Sequence, residues 1–342
     1  MKKKTMTDCQ PKRKFLEYAF AEVERMKQLN RIGVAKNYAN SARQLQKYLA
    51  TQGWKDVTFH RLENRILHNF EDWLHQHSVS KNTSSAYMRS LHAIHKRAVN
   101  QGLSTGNPFA GTYRGIAKTR KRAISMTDIR RIYTFDVRTA LSEKYRETSK
   151  KADGRRFDKQ VEKLEFFRDI FVFCFCARGM TFVDLAYLRK TDIASGIITY
   201  NRRKTGQQLH VRIEPLMQQI IDRHPSPSGY LFSILNDGTD ARRTYQVYSS
   251  ALSLYNKTLK QLGEMMGLPL TSYVCRHSWA TAARQQNIPL HIISQSMGHD
   301  NEKTTEIYLK SIEDIQIDQS NRSLLDAIFS PQTEQKKYRH PR

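Results

Sequence analysis

Between Ser272 and Lys310 the chain gathers the side-chain types that breaking and rejoining a phosphodiester would need. Arg276 and His277 sit in Ser-Tyr-Val-Cys-Arg-His-Ser-Trp-Ala-Thr, His299 in Ser-Met-Gly-His-Asp, and Tyr308 nine residues later in Thr-Thr-Glu-Ile-Tyr-Leu-Lys. A hydroxyl attacking phosphorus requires positive charge for the non-bridging oxygens and a proton for the leaving 5′ oxygen. A phenol, with a pKa near ~10, departs from a phosphotyrosyl link more readily than an alcohol, so the step can run backwards. Arginine supplies permanent charge in a planar fork that fits phosphate oxygens without reorganising during the reaction, the role read for Arg276. His299 titrates near neutrality and can donate to the phosphate or help move the phenol's proton. Lys204, at the basic tip between two strand-like runs, can protonate the leaving oxygen. A covalent intermediate stores the bond energy, so no metal and no nucleotide cofactor is called for.

Each residue alone has a plainer reading. Tyr308 lies among Thr304, Ile307 and Leu309 at helical spacing, where a tyrosine more often packs, and His299 after Gly298 suits a helix boundary. The order and spacing of the three elements carry the reading.

The positioning elements follow from periodicity. From residue 14 to 101 apolar residues recur every three to four positions, as in Tyr38, Ala42, Leu45 and Leu49, in Leu67, Phe70 and Leu74, and in Tyr87, Leu91, Ile94 and Ala98. The spacing predicts a helical domain. Lys81, Asn82, Thr83, Ser84 and Arg89 lie between these stripes and are of the types that contact phosphates, although a solvated helix face is the bland alternative. Residues 1–13 form a basic tail, and residues 102–125, rich in Gly, Thr and basic side chains with Asn107-Pro108, read as a linker.

A second domain covers residues 126–315, with Thr127 as the expected cap of its first helix and residues 142–163 as an exposed insertion. Leu164–Leu188 reads as one strongly apolar helix that turns polar at Arg178-Gly179-Met180-Thr181. Ile197–Tyr200 and Leu209–Ile213 read as a hairpin carrying Arg202, Arg203 and Lys204 near its tip. Helices are expected over 243–266, 272–286, 291–297 and 301–312. Phe171, Phe173, Trp279 and Met297 are assigned to the core, Cys174 and Cys176 to buried thiols, and His77, His92, His95 and His210 to the surface or to satisfied contacts. The fold class is mainly α with a small antiparallel sheet.

The stretch around Arg276, His299 and Tyr308 resembles the tyrosine recombinase, or phage integrase, family. Arg276-His277 resembles its second-arginine box, Gly298-His299 its later histidine, and Tyr308 its nucleophile. The resemblance implies that residues 14–101 form a core-binding DNA-binding domain and residues 126–315 the catalytic domain. It further implies double-stranded DNA as substrate, a homotetramer on two DNA sites, room for DNA-bending accessory proteins, and exchange of a C-terminal segment between protomers. Residues 316–342, with the apolar cluster Leu324, Leu325, Ile328 and Phe329, are the candidate for that segment.

Two positions depart from the family pattern. The usual first arginine, three residues before the acidic Asp184, is Thr181. If 178, 181 and 184 share a helix face, Arg178 can deliver the missing charge, with Arg202 and Arg203 as alternative substitutes and local capping by Arg178 as the plain reading. The box opens with Tyr273 where the family has His, and a phenol can donate a hydrogen bond but cannot act as a base near neutral pH. The expected activity is site-specific recombination through a 3′-phosphotyrosyl intermediate. Alternatives are relaxation of supercoils in the manner of a type IB topoisomerase, and non-catalytic DNA binding on a recombinase scaffold.

Composition agrees. The 342 residues exceed what one core usually organises, and Lys plus Arg number 57 against 32 Asp plus Glu, a formal charge of +25 that calls for a polyanionic partner. No run reaches the ~18 apolar residues of a membrane span, which leaves nucleic acid ahead of a membrane. Four cysteines, Cys9, Cys174, Cys176 and Cys275, are too scattered for a disulfide framework, and the expectation is a reducing cytoplasm.

Overall fold

The computed structural model describes residues 13–117, 123–147 and 154–298. They divide into two units, one of the described residues up to 117 with Asp240–Tyr245, the other of the remainder.

The N-terminal unit is built from α1 (Phe15–Gln28), α2 (Ile32–Thr51), α3 (Asn64–Gln76) and α4 (Lys81–Asn100), with a short 3₁₀ turn at Phe59–Arg61. The predicted stripes are its core. Ala42, Leu45, Leu49, Leu67, Phe70, Leu74, Leu91, Ile94 and Ala98 are all fully buried. The Asp56 carboxylate accepts from the backbone N–H of Leu16 (2.9 Å) and Glu17 (3.1 Å), satisfying donors that the first turn of α1 cannot pair within the helix. Ser80 caps α4 by accepting from the N–H of Thr83. Phe109, within the stretch read as linker, is buried in this core beside His92 and His95.

The second unit comprises α5 (Met126–Tyr133), α6 (Val137–Glu147), α7 (Gly154–Cys176), α8 (Phe182–Ala186), β1 (Ile193–Ala194), β2 (Ile197–Asn201), β3 (Gln208–Arg212), α9 (Pro215–Arg223), α10 (Ala241–Met266), α11 (Val274–Gln285) and α12 (Leu290–Met297). The molecule is thus mainly helical, with one three-stranded antiparallel sheet ordered β1-β2-β3 and Thr199 paired to His210. The C-terminal half of α7 is the spine of the unit: Phe167, Ile170, Phe171, Val172, Phe173 and Cys174 are buried, while its first turns stay charged and exposed. Cys176 and Trp279 are only half-buried.

Three expectations are corrected. Ser125, not Thr127, caps α5, accepting from the N–H of Asp128 at 3.0 Å. Residues 154–163, read as insertion, are the first turns of α7. The apolar run Leu164–Leu188 is two helices, because Arg178 (φ 58°) and Gly179 (φ 70°) both take the left-handed conformation and end the α7 ladder. The N–H of Met180 then returns to the carbonyl of Cys174, and Thr181 caps α8. The helix expected over 301–312 lies outside the described residues.

One buried ionic group ties the second unit together. Asp169 on α7 is fully buried and accepts from Arg168 Nε (3.0 Å), Arg223 Nη1 (2.6 Å) and His224 Nε2 (2.9 Å), while Arg168 also donates to the carbonyl of Phe135. No helix of the described residues is long and apolar enough to cross a membrane.

Candidate active site

α12 ends at Gly298, whose φ of 64° breaks the helix and leaves its last carbonyls without intrahelical donors. Two guanidinium groups supply them. Arg276, in the first turn of α11 and 3% exposed, donates from Nη2 to the carbonyl of Met297 (2.6 Å) and from Nη1 to that of Gly179 (2.8 Å). Arg202, at the hairpin tip and 5% exposed, donates from Nη1 to the carbonyl of Gly298, which also accepts from Thr205 Oγ1 at 3.3 Å. The negative end of a helix favours cations, and here it fixes two of them on consecutive carbonyls directly before His299. Arg202 Nε is buried and, among the described residues, has no hydrogen-bond partner. A buried donor left unpaired is costly, and an anionic oxygen is the acceptor a guanidinium prefers.

The hairpin tip is held from below as well. Asp184, buried on α8, accepts from Thr181 Oγ1 (2.6 Å) and from the backbone N–H of Arg203 (2.9 Å). The N–H of Arg202 pairs with the carbonyl of Gln207 and that of Gly206 with the carbonyl of Arg202, closing the loop in which Lys204 stands exposed. The guanidinium of Arg203 lies 3.6 Å from the ring centroid of Tyr187. Beneath these groups, burial and then the charge of Asp184 push the Tyr200 phenol above its ordinary range, against the opposing pull of Arg276 and Arg202.

Because α7 and α8 are separated by the break at Arg178-Gly179, Arg178 does not share a helix face with Thr181 and Asp184. Arg178 sits in the left-handed turn, half-buried, with no hydrogen-bond or ion-pair partner among the described residues, while Thr181 faces Asp184 as a cap. Tyr273 is 52% exposed at the start of α11, its ring 6.1 Å from that of His277. Of the expected catalytic groups, the structure brings Arg276 onto the same helix end as the hairpin tip bearing Lys204. His299 and Tyr308 lie outside the described residues. Among the described residues no three His, Cys, Asp or Glu side chains cluster to hold a metal ion.

The polar residues of α4 are engaged differently from the phosphate contacts expected of them. Ser84 is fully buried, bonded to the carbonyl of Lys81 and to His75 Nε2, so it cannot face a ligand. Asn82 and Arg89 bond to backbone of residues 114–117. Lys81 lies 4.5 Å from the ring centroid of Tyr113, and Thr83 is exposed beside the Ser80 hydroxyl. Sequence reasoning passed over the Thr181-x-x-Asp184 cap, although Thr followed three residues later by an acid is a helix-start signal. It also passed over Gly179, whose Cα is packed so closely that a Cβ would lie 2.9 Å from Arg276 Cα. Gly179→Ala is therefore expected to cost about 1–3 kcal/mol through left-handed strain, with more from the clash, and to lower the thermal unfolding midpoint. A melt indistinguishable from the parent would contradict that contact.

Comparison with known proteins agrees with this architecture. The profile described as Phage integrase SAM-like domain matches residues 14–119, and that described as Phage integrase family matches residues 169–314. The chain is 26% identical over 272 residues to Tyrosine recombinase XerA of Pyrococcus furiosus, covering 73% of this chain and 90% of that one. In fold it is similar to a lambda integrase tetramer bound to a Holliday junction, with a TM-score of 0.57 at 12% identity over 87% of this chain and 78% of that one. It is also similar to the Tn1549 transposon integrase in complex with a circular intermediate DNA, with a TM-score of 0.53 at 13% identity over 86% and 94%. With a helical first unit and a sheet-bearing second unit each matched by its own profile in the expected order, the chain belongs to the tyrosine recombinases of the phage integrase family.

Proposed function

We propose that the protein is a site-specific DNA recombinase that cleaves one strand with Tyr308 and rejoins it to another. Tyr308 Oη forms a bond to phosphorus as the bond from phosphorus to the 5′ oxygen breaks. The phenol's proton passes toward His299 or water, and Lys204 gives a proton to the departing oxygen. Arg276 and Arg202 hold the non-bridging oxygens, a contribution preorganised by the carbonyls that already fix both groups. Attack by a free 5′ hydroxyl on the phosphotyrosyl link reverses the sequence and restores the backbone. Tyr273, exposed at the start of α11, would donate a hydrogen bond but not take a proton.

The observation that carries this reading is the pair of buried guanidiniums on the carbonyls of 297 and 298, immediately before His299 and within reach in sequence of Tyr308. The structurally similar lambda integrase assembles as a tetramer on a Holliday junction. A homotetramer on two sites is proposed here too, with residues 316–342 exchanged between protomers and DNA-bending proteins as assistants. Lys81, Thr83 and Arg203 are the proposed phosphate contacts.

A nicked suicide duplex carrying the target site is the test. The parent chain is expected to become covalently attached to DNA through a bond stable to denaturant, and Tyr308→Phe to bind the site without attachment. Binding with no attachment by the parent would leave a non-catalytic DNA-binding factor. Relaxation of supercoils by a monomer without site pairing would replace recombination with topoisomerase chemistry.

A further inference from the structure

We infer that Asn82 is a positioning residue for strand cleavage, acting by clamping the chain that leaves the N-terminal unit. Both ends of its side-chain amide bond to one residue. Nδ2 donates to the carbonyl of Ala117 (3.1 Å) and Oδ1 accepts from the N–H of Ala117 (2.7 Å), as a neighbouring strand would. Neighbours on α3 and α4 extend the clamp upstream. Ser85 Oγ donates to the carbonyl of Gly115 (2.6 Å), Arg89 Nη1 donates to the carbonyls of Gly115 (3.2 Å) and Arg114 (3.3 Å), and the N–H of Tyr113 donates to Glu71 Oε2 (3.4 Å).

Beyond Tyr113, whose half-buried ring lies against Lys81, polar bonds rather than burial hold this strap. Ile116, its one large aliphatic side chain, is 82% exposed and contributes no packing that could keep the strap docked if the bonds were lost. Ala117 is bonded at both its backbone groups by a side chain that could instead have faced solvent or phosphate. Nine positions further along the sequence α5 begins at Met126.

The consequence rests on the function proposed above, in which one unit grips DNA while the other, tethered to it, delivers the catalytic groups. The local concentration of a tethered partner falls roughly as the −3/2 power of the free tether length, and a loose tether is also free to point elsewhere. Losing the Asn82 bonds releases only residues 116 and 117, while Ser85, Arg89 and Glu71 keep residues 113–115, so the clamp shortens the span to α5 and speeds cleavage without itself meeting DNA.

The test uses the full chain with Asn82→Leu, which keeps the size and removes both bonds, and Asn82→Gln, whose longer amide can recover one. Three quantities are read: single-site affinity by fluorescence anisotropy, the rate of covalent attachment to the nicked duplex at saturating protein, and hydrogen exchange of the Ala117 amide. For Asn82→Leu, affinity and the thermal midpoint are expected to match the parent's, while attachment slows by up to about twofold and the Ala117 amide exchanges faster, with Asn82→Gln in between. Affinity falling in step with attachment would make Asn82 a DNA contact and overturn the inference. So would faster exchange with an unchanged attachment rate, or exchange that does not change. If the parent itself never attaches to DNA, the functional reading fails, whereas the exchange measurement reports on the clamp independently.

Discussion

Arg202→Ala is expected to slow covalent attachment to a nicked substrate by about 10²- to 10³-fold, the loss typical when one preorganised donor to a developing oxyanion is removed, while Arg178→Ala leaves the rate within about threefold. The contrast comes from where the two guanidiniums lie. Arg202 is buried, fixed to the carbonyl of Gly298, shares the α12 terminus with Arg276, and holds a buried Nε–H without a partner among the described residues. Arg178 stands half-buried in a left-handed turn that exists to bring Gly179 against Arg276. Arg202→Lys restores the charge but lacks the planar fork, so it should recover only part of the rate. Because Arg202→Ala also leaves the carbonyl of Gly298 with one donor fewer, a thermal melt and single-site affinity accompany the kinetics. A folded Arg202→Ala protein that cleaves normally, paired with an inactive Arg178→Ala protein, would return the missing charge to position 178.

The same pair of arginines shows where sequence is informative and where it stops. Helical periodicity locates the first four helices, because Leu45, Leu49, Phe70, Leu74, Leu91 and Ile94 face one core and nothing competes with that signal. Alternation around Lys204-Thr205-Gly206 locates the hairpin, and Gly206 at φ 79° supplies its turn. The run Leu164–Leu188 misleads because most of its residues are buried on both sides of the break, which blurs the period that would mark the end of α7 and the start of α8. Only the backbone reveals that Arg178 carries a positive φ, an uncommon state for a residue with a side chain. Once the break is known, 178 and 181 no longer share a helix face.

On α4 the difficulty is of another kind. Lys81, Asn82, Ser84 and Arg89 have the right chemistry for phosphate, yet backbone carbonyls and N–H groups ask for the same donors and acceptors. Sequence gives no means of telling which acceptor is near, so Ser84 proves to be bonded to His75 and Asn82 to Ala117. The Asp169 cluster was likewise invisible, since its partners lie one residue away, Arg168, and more than fifty away, Arg223 and His224.

That cluster sets the largest expected stability effect. Asp169→Ala strands Arg168 and His224 in the interior, and removing one partner of a buried ion pair costs about 3–5 kcal/mol, mostly as the penalty of the charge left behind. The exposed pair Arg138–Asp158, at 2.8 Å, has equally short geometry, but both side chains are more than half exposed, so Asp158→Ala should fall below about 1 kcal/mol. The contrast reflects both the burial of Asp169 and its three partners against one for Asp158. The pH dependence has a definite sign. Burial alone would raise the Asp169 pKa, but the hydrogen bond from His224, the charge of Arg168 and the bond from Arg223 outweigh it and hold the carboxyl below its ordinary value. A carboxylate depressed in the folded state binds its proton more readily when unfolded, so its contribution is complete above the unfolded pKa of ~3.9 and is lost as pH falls through the folded value. The difference in unfolding free energy between the parent and Asp169→Asn should therefore shrink steadily below about pH 4. Other depressed carboxylates, Asp128, Asp136 and Asp237, are common to both proteins and cancel in the difference. A difference that stays flat into the acid range would mean that Asp169 is not held as a carboxylate by these three partners.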